Sequence, residues 1–386
     1  MEKIYFDNGA TTCIDNEVLE EMMPYYNKYY GNPSSLHSFG VDAANAIDIS
    51  RMKIAKILNA KQDEIIFTSG GTESDNLALK GISYSFKEKI NTKDNHIITS
   101  SIEHPAIIET CKYLQNQGYN VKYLPVDKYG LVKIDDLENA ITKNTFLISI
   151  MYANNEIGTI EPIKDIGKIA KKYGIIFHTD AVQAVCKTPI DIKKLNIDLL
   201  SISSHKIYGP KGIGVLFVKN GIEIIPIIHG GGHEKNIRSG TLNTPGIVGI
   251  GKACELGQNR MNIDIPHIKK LRDKLINNLL KISDTYLNGH PTKRLVNNIN
   301  FHVKNIDGES LLMMLDEKGI ATSTGSACSS KKLYSSHVLK ELGLNQNQLQ
   351  SSLRLTLGRE NSEEEILYAS ELIPKVVKKL RQISPI

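Results

Sequence analysis

Between residues 64 and 219, short β-branched runs alternate with helical patterns. The runs are EIIFTS (64–69), HIITSS (96–101), VKYLPV (121–126), FLISIMY (146–152), IIFHTD (175–180), LLSISS (199–204) and GVLFVK (214–219). Several are almost continuously apolar, as strands covered on both faces are. Between most of them lie helical patterns: DNLALKGISYSF (75–86), AIIETCKYLQNQG (106–118) and IKDIGKIAKKYG (163–174). The last two stop at glycine, a common helix end. This alternation predicts an α/β fold, with a mostly parallel seven-stranded sheet flanked by helices.

After about residue 260 the texture changes. IPHIKKLRDKLINNLLKI (265–282) has the pattern of one long amphipathic helix. NNINFHV, SLLMMLDEKG, SLRLTLG and a terminal helix over about 362–382 follow. These predict a smaller α+β domain, joined by the first residues of the chain. The expected division is a large domain over 15–260 and a small one from 1–14 and 261–386. A chain of 386 residues is long enough to give each its own core.

The formal net charge is only +5, with lysines scattered among acids, so no nucleic-acid surface is expected. The N-terminal MEKIYFDNGATT has no apolar signal region, and no apolar run reaches the ~18 residues of a membrane span. The expectation is a cytoplasmic protein without membrane contact. The five cysteines (Cys13, Cys111, Cys186, Cys254, Cys328) are odd in number and contain no CxxC pair, which argues against disulfides and structural zinc. Cys111, Cys186 and Cys254 fall in apolar or helical patterns and suit a buried role. In GGGHEK, His233 and Glu234 are too few to hold a metal, and no resident metal is expected.

Open parallel sheets bind ligands at the carboxyl ends of their strands. The residues that follow the runs are therefore informative: Ser69-Gly70-Gly71-Thr72-Glu73, Glu103-His104, Asn154-Asn155-Glu156, Asp180 with Gln183, and Ser203-Ser204-His205-Lys206. SGGTESDN joins a strand to a helix and suits a phosphate, because glycines permit close approach and the helix start offers free N–H groups. No GK[ST] follows, so it is not a P-loop. Taken alone it is equally a glycine turn with a threonine cap. Lys206 alone reads as a surface charge, Asp180 as a helix cap, and His104 as a loop residue. Together they supply an amine, a carboxylate for a cationic ring nitrogen and a flat ring for stacking. With the phosphate cradle, that set is what pyridoxal phosphate requires. Cys328 stands in STGSACSS (323–330), a stretch of small residues, and suggests a reactive thiol on a backbone free to swing.

The chain resembles the NifS/IscS-type cysteine desulfurases, which are pyridoxal phosphate enzymes of fold type I in the class V aminotransferase family. The resemblance runs from YFDNGATT through FTSGGTESDN, NNEIGTIEPI, SSHKIYGPKGIG, HGGGHEKNIRSGTLNTP and STGSACSS to SLRLTLGRENSEEEI. It implies that Lys206 is the Schiff-base lysine, Asp180 the partner of the pyridine nitrogen and Gln183 the donor to the phenolic oxygen. It implies that His104 stacks on the ring and can donate a proton. Gly71, Thr72, Ser203 and His205 would hold the phosphate, with Thr241 of a second subunit in a homodimer. Asn155 and Arg354 would hold the substrate carboxylate, a task suited to the forked guanidinium. The implied reaction turns L-cysteine into L-alanine through an aldimine and a ketimine, leaving a persulfide on Cys328. The implied acceptors are an IscU/NifU-type iron–sulfur scaffold, whose cluster Cys328 would contact transiently, or a tRNA-thiolation enzyme. Selenocysteine lyase and cysteine sulfinate desulfinase are neighbouring activities, and a non-catalytic scaffold of the same fold is the alternative of another class. Three departures stand out: SSKKLYSSHVL after Cys328, where many relatives carry Leu-Glu-Pro-Ser; an end at SPI; and Cys13 after ATT, expected to be structural.

Overall fold

The computed structural model describes residues 3–89, 95–324 and 336–383. Its strands are β1 (Ile4–Tyr5), β2 (Ile65–Thr68), β3 (His96–Ser100), β4 (Asn120–Leu124), β5 (Thr145–Ser149), β6 (Ile176–Asp180), β7 (Leu199–Ser203), β8 (Gly214–Val218), β9 (Thr285–Leu287), β10 (Asn298–Val303), β11 (Ile320–Ala321) and β12 (Ser352–Thr356). The large sheet has the order β2-β8-β7-β6-β5-β3-β4. Within it β8 is antiparallel to β2 and β7, and every other pair is parallel. Every residue of β2, β3, β5, β7 and β8 is buried, which accounts for their unbroken apolar runs, while the edge strand β4 alternates.

Helices cover both faces. The helix Ile163–Tyr173 turns Ile163, Ile166, Ile169 and Ala170 inward. It ends where Gly174, at φ +66°, returns its N–H to the carbonyls of Ala170 and Lys171. One face of the sheet is filled by a core containing Ile98, Ile148, Phe177, Leu200, Ile202 and Phe217. The other holds Leu77, Ile82, Ile97, Leu147 and Leu216.

A further core gathers Ile4 and Phe6 with Leu271, Leu275, Ile299, Phe301, Leu353, Leu355 and Ile373. Its antiparallel sheet has the order β12-β10-β9, and β1 pairs in parallel with β11. The N-terminal segment then passes from this core to the large sheet, so Gly9 and Ala10 come to the carboxyl ends of its strands.

The long helix differs from the sequence expectation. It runs from Thr244 to Leu279, with Pro266 inside it. Proline at 266 mimics a helix start, since its ring needs no N–H partner there. Upstream, Ile247, Ile250, Ala253 and Cys254 join the large core, and downstream Ile268, Leu271 and Leu275 join the other. One continuous helix thus ties the two cores together. Cys111 and Cys254 are buried, Cys186 is half-buried, and Cys13 is exposed. Among the described residues no helix is long and apolar enough to cross a membrane.

Candidate active site

A cavity of about 1110 Å³ opens at the carboxyl ends of the parallel strands. Its lining includes Gly71, Thr72, His104, Asn155, Asp180, Gln183, Ser203, His205, Lys206 and Arg354. These residues lie far apart in sequence, and the sheet topology gathers them. Thr241 does not join them: it is exposed on the loop before the long helix. Cys328 lies outside the described residues.

Lys206 ends the short turn Ser204–Lys206 that follows β7. Its Nζ donates to the carbonyl oxygens of Gly9 at 2.8 Å and Ala10 at 2.5 Å. Gln183 Nε2 donates to the same Gly9 oxygen at 3.0 Å. The NGATT segment thus orients both side chains, a task that its sequence alone does not reveal.

Asp180 closes β6, and its Oδ1 accepts from the Val182 N–H at 2.9 Å. Burial pushes its carboxyl upward, while the charges of His104 and Lys206 pull it down. Asp75, on the first turns of the helix Gly71–Lys89, is buried and also lines the cavity. Among the described residues its Oδ1 has no hydrogen-bond partner, and it lies 3.7 Å from His178 Nε2. Burial, then the charge of Asp180, raises the Asp75 carboxyl well above the usual range. Burial also lowers His178 to about 3, so its ring is neutral. That ring bridges Ser149 Oγ at 2.9 Å and Ser201 Oγ at 3.1 Å. Burial raises both carboxyls, and Asp180, unlike Asp75, has the charges of His104 and Lys206 to offset that rise.

The cradle is built from the strand-to-helix joint after β2. A Cβ on Gly71 would lie 2.8 Å from Val182 Cγ2, so only glycine leaves this wall open. Thr72, Ser203 and His205 supply hydroxyl and imidazole groups around the first turn of a long helix. Burial, then nearby lysine charges, lowers His205 to about 4, so a neutral ring faces the cavity. An anion at the helix start, a ring nitrogen at Asp180 and an amine acceptor at Lys206 fit pyridoxal phosphate.

His104 caps the helix Pro105–Asn116, its Nδ1 accepting from the Ala106 N–H at 3.1 Å. Burial lowers its pKa most, Asp180 opposes this, and Lys206 and His337 add to it. Before it, Glu103 is fully buried, with Ser100 Oγ donating to Oε1 at 2.5 Å. The Met151 N–H donates to the same carboxyl at 3.0 Å. Burial raises this carboxyl to about 8. Arg354, buried on β12, pairs with Asp7 Oδ1 at 2.9 Å and donates to the Asn155 carbonyl at 3.1 Å. Asp7 and Asp75 also belong to this neighbourhood, inside motifs whose reading gave them no task, as do Ser336 and His337, which no strand-end motif announced.

This chain belongs to the aminotransferase class-V family, whose model matches residues 4–368. Within that family it sits with the NifS/IscS-type cysteine desulfurases. A cysteine desulfurase IscS of Methanosarcina thermophila is 54% identical over 383 residues, covering 99% of this chain and 94% of that protein. A solved NifS-like protein superposes with a TM-score of 0.91 at 40% identity, covering 98% of this chain and all of the other. SspA, solved in complex with cysteine, superposes with a TM-score of 0.82 at 38% identity, over 93% of this chain and all of its own.

Proposed function

We propose that this protein is a pyridoxal phosphate-dependent cysteine desulfurase, which takes sulfur from L-cysteine, releases L-alanine and passes the sulfur on for iron–sulfur cluster assembly. The observation that carries this reading is the one cavity that joins Lys206, Asp180, Gln183, His104 and Arg354 to an open cradle at Gly71.

When bound, pyridoxal phosphate supplies an electron-withdrawing ring that acidifies the α-proton of an attached amino acid. Gly71, Thr72, Ser203 and His205 would hold its phosphate, and Lys206 would hold its aldehyde carbon. Asp180 would keep the ring nitrogen protonated, and His104 would lie against the ring. Gln183 would donate to the phenolic oxygen. Arg354 grips the substrate carboxylate with Asn155 beside it, and Asp7 fixes the guanidinium. Lys206 Nζ then moves the substrate's α-proton. The Cys328 thiolate attacks the substrate sulfur. The S–S bond forms as the substrate's C–S bond breaks, and the electron pair left on carbon takes a proton to give alanine. Cys328 is left as a persulfide.

The same reading makes the protein a homodimer. Thr241 is exposed in the single chain and supplies the partner's phosphate site. Exposed apolar side chains on the N-terminal helices and the loop between them, among them Tyr26, Tyr30, Leu36, Phe39 and Ile49, supply a face for the second copy. The reading also keeps the division into domains over 15–260 and over 1–14 with 261–386, supported by the separate core around Phe301. It places the protein in the cytoplasm, where free thiols stay reduced. The sulfur acceptor is an IscU/NifU-type scaffold or a tRNA-thiolation enzyme, separable by offering each to the persulfide form.

The test uses cysteine carrying labelled sulfur. Wild type should acquire label on Cys328 and release alanine. Cys328→Ala should keep the absorbance of bound cofactor and lose the label and sulfide release. Lys206→Ala should lose turnover by at least about 10³-fold. Normal alanine and sulfide release by Cys328→Ala would overturn the nucleophile assignment. Faster turnover of selenocysteine or cysteine sulfinate would move the protein to those activities.

A further inference from the structure

The outer wall of the cavity contains a histidine to which the chemistry above gives no task. Ser336 and His337 line the cavity at the start of the helix His337–Glu341. His337 Nε2 donates to the main-chain carbonyl of Glu103 at 3.0 Å. Ser336 Oγ donates to Glu156 Oε2 at 2.5 Å and accepts from the Leu339 N–H at 3.1 Å. Behind them Val338, Leu339 and Leu342 pack with Ile102 and Ile157 in a separate buried cluster. Both polar contacts and the apolar cluster therefore grip the same two segments, 102–103 and 156–157. Those segments adjoin His104 and Asn155. The Glu103 side chain is independently held by Ser100 and Met151, so its peptide is fixed from both ends. In sequence, Ser336 stands eight residues after Cys328.

We propose that His337 is a positioning residue for the desulfurase reaction: its Nε2–H fixes the Glu103 carbonyl, and through the adjoining peptide it fixes His104. This rests on the desulfurase reading above. The ring also acts by charge. Burial lowers the His104 pKa most, Asp180 at the end of β6 opposes this, and Lys206 at the end of β7 and His337 add to the lowering. Removing His337 therefore raises the pKa of His104.

The test compares cofactor-loaded wild type, His337→Ala and His337→Gln. Cofactor absorbance and thermal melting should be unchanged in both His337 variants, and KM for L-cysteine should stay within about twofold. In His337→Ala, kcat should fall by about 10-fold, the scale of one lost hydrogen bond. The limb of its pH profile that reports His104 should move to higher pH. Glutamine places an N–H near the same carbonyl but carries no charge. His337→Gln should therefore recover kcat while keeping the shifted limb, and that shift can be read even if His337→Ala fails to fold. Wild-type kcat and pH profile in His337→Ala would overturn the proposal. So would a glutamine variant with an unshifted limb or as slow as alanine, or a rate loss matched by loss of cofactor and of melting temperature. Failure of the cofactor-loaded wild type to release alanine and sulfide from L-cysteine would sink the desulfurase reading instead, independently of His337.

Discussion

The proposed reaction needs Asp180 charged in a place that disfavours charge. Burial raises its carboxyl, and His104 and Lys206 offset that rise. Asp75 shares the space and cannot ionise as well at no cost, because like charges at close range repel. Replacing Asp180 with asparagine should lower kcat by about 10²–10³-fold, as removal of an electrostatic stabiliser does. Asp75→Asn should leave cofactor absorbance and kcat near wild type, since it copies the neutral acid. Both are read from absorbance and steady-state rates. His178 gives this network a pH signature. Its ring falls from the ordinary 6.5 to about 3 in the fold. The unfolded chain therefore binds a proton below 6.5 that the folded chain refuses until about 3. The His178 contribution to stability is intact above that window and lost as pH falls through it. Melting temperature should drop between pH 7 and pH 5, and less so in His178→Gln. Asp180 was legible because a carboxylate at a strand end is conspicuous. Asp75 was not, because an acid in the first turns of a helix is ordinary, and only the folded sheet turns it toward Asp180.

At the level of elements, the alternation of runs and helices carried most of the information. The unbroken apolar runs became strands buried on both faces, and polar residues after them became the cavity wall. Two features escaped. Pro266 disguised the middle of a long helix as its start, because the same missing N–H suits either a helix beginning or a tolerated kink. The NGATT segment carries no hydrophobic period, so nothing foretold that its carbonyls would seat Lys206 and Gln183. The joint between β2 and its helix was readable as a strand-to-helix turn suited to a phosphate, and its geometry makes the role of glycine testable. A methyl at Gly71 would meet Val182 at 2.8 Å. Gly71→Ala should raise the cofactor dissociation constant by about 10-fold, with a modest fall in melting temperature, since crowding of this kind costs about 1–3 kcal/mol. Titration of the cofactor-free protein, followed by its absorbance, measures this.

For the whole molecule, the exposed apolar face and the exposed Thr241 demand a common explanation. Leu36 is 98% exposed, Tyr30 65% and Tyr26 60%, and they lie in the helix Pro24–Asn27 and the loop that follows it. Isolated apolar side chains on a surface need no cause, but a cluster of this kind marks a contact surface. Thr241 belongs to a loop anchored on its own subunit: Arg238 pairs with Glu73 at 2.8 Å, and Glu234 accepts from both Arg51 and the Phe67 N–H. The loop is thus braced against the β2 joint of its own chain while its tip, Thr241, remains uncovered. A second copy docked on the apolar face accounts for both facts if each tip completes the other's phosphate site. The double variant Phe39→Asp, Ile49→Asp should then run as a monomer in sedimentation equilibrium. Its cofactor dissociation constant should rise by about 10–100-fold, the cost of losing a hydrogen bond to a charged group. Thr241→Ala should weaken the cofactor by a similar factor while leaving the dimer intact. A monomeric double variant that keeps wild-type cofactor affinity would separate the two features and leave the apolar face as an interface without a part in the site.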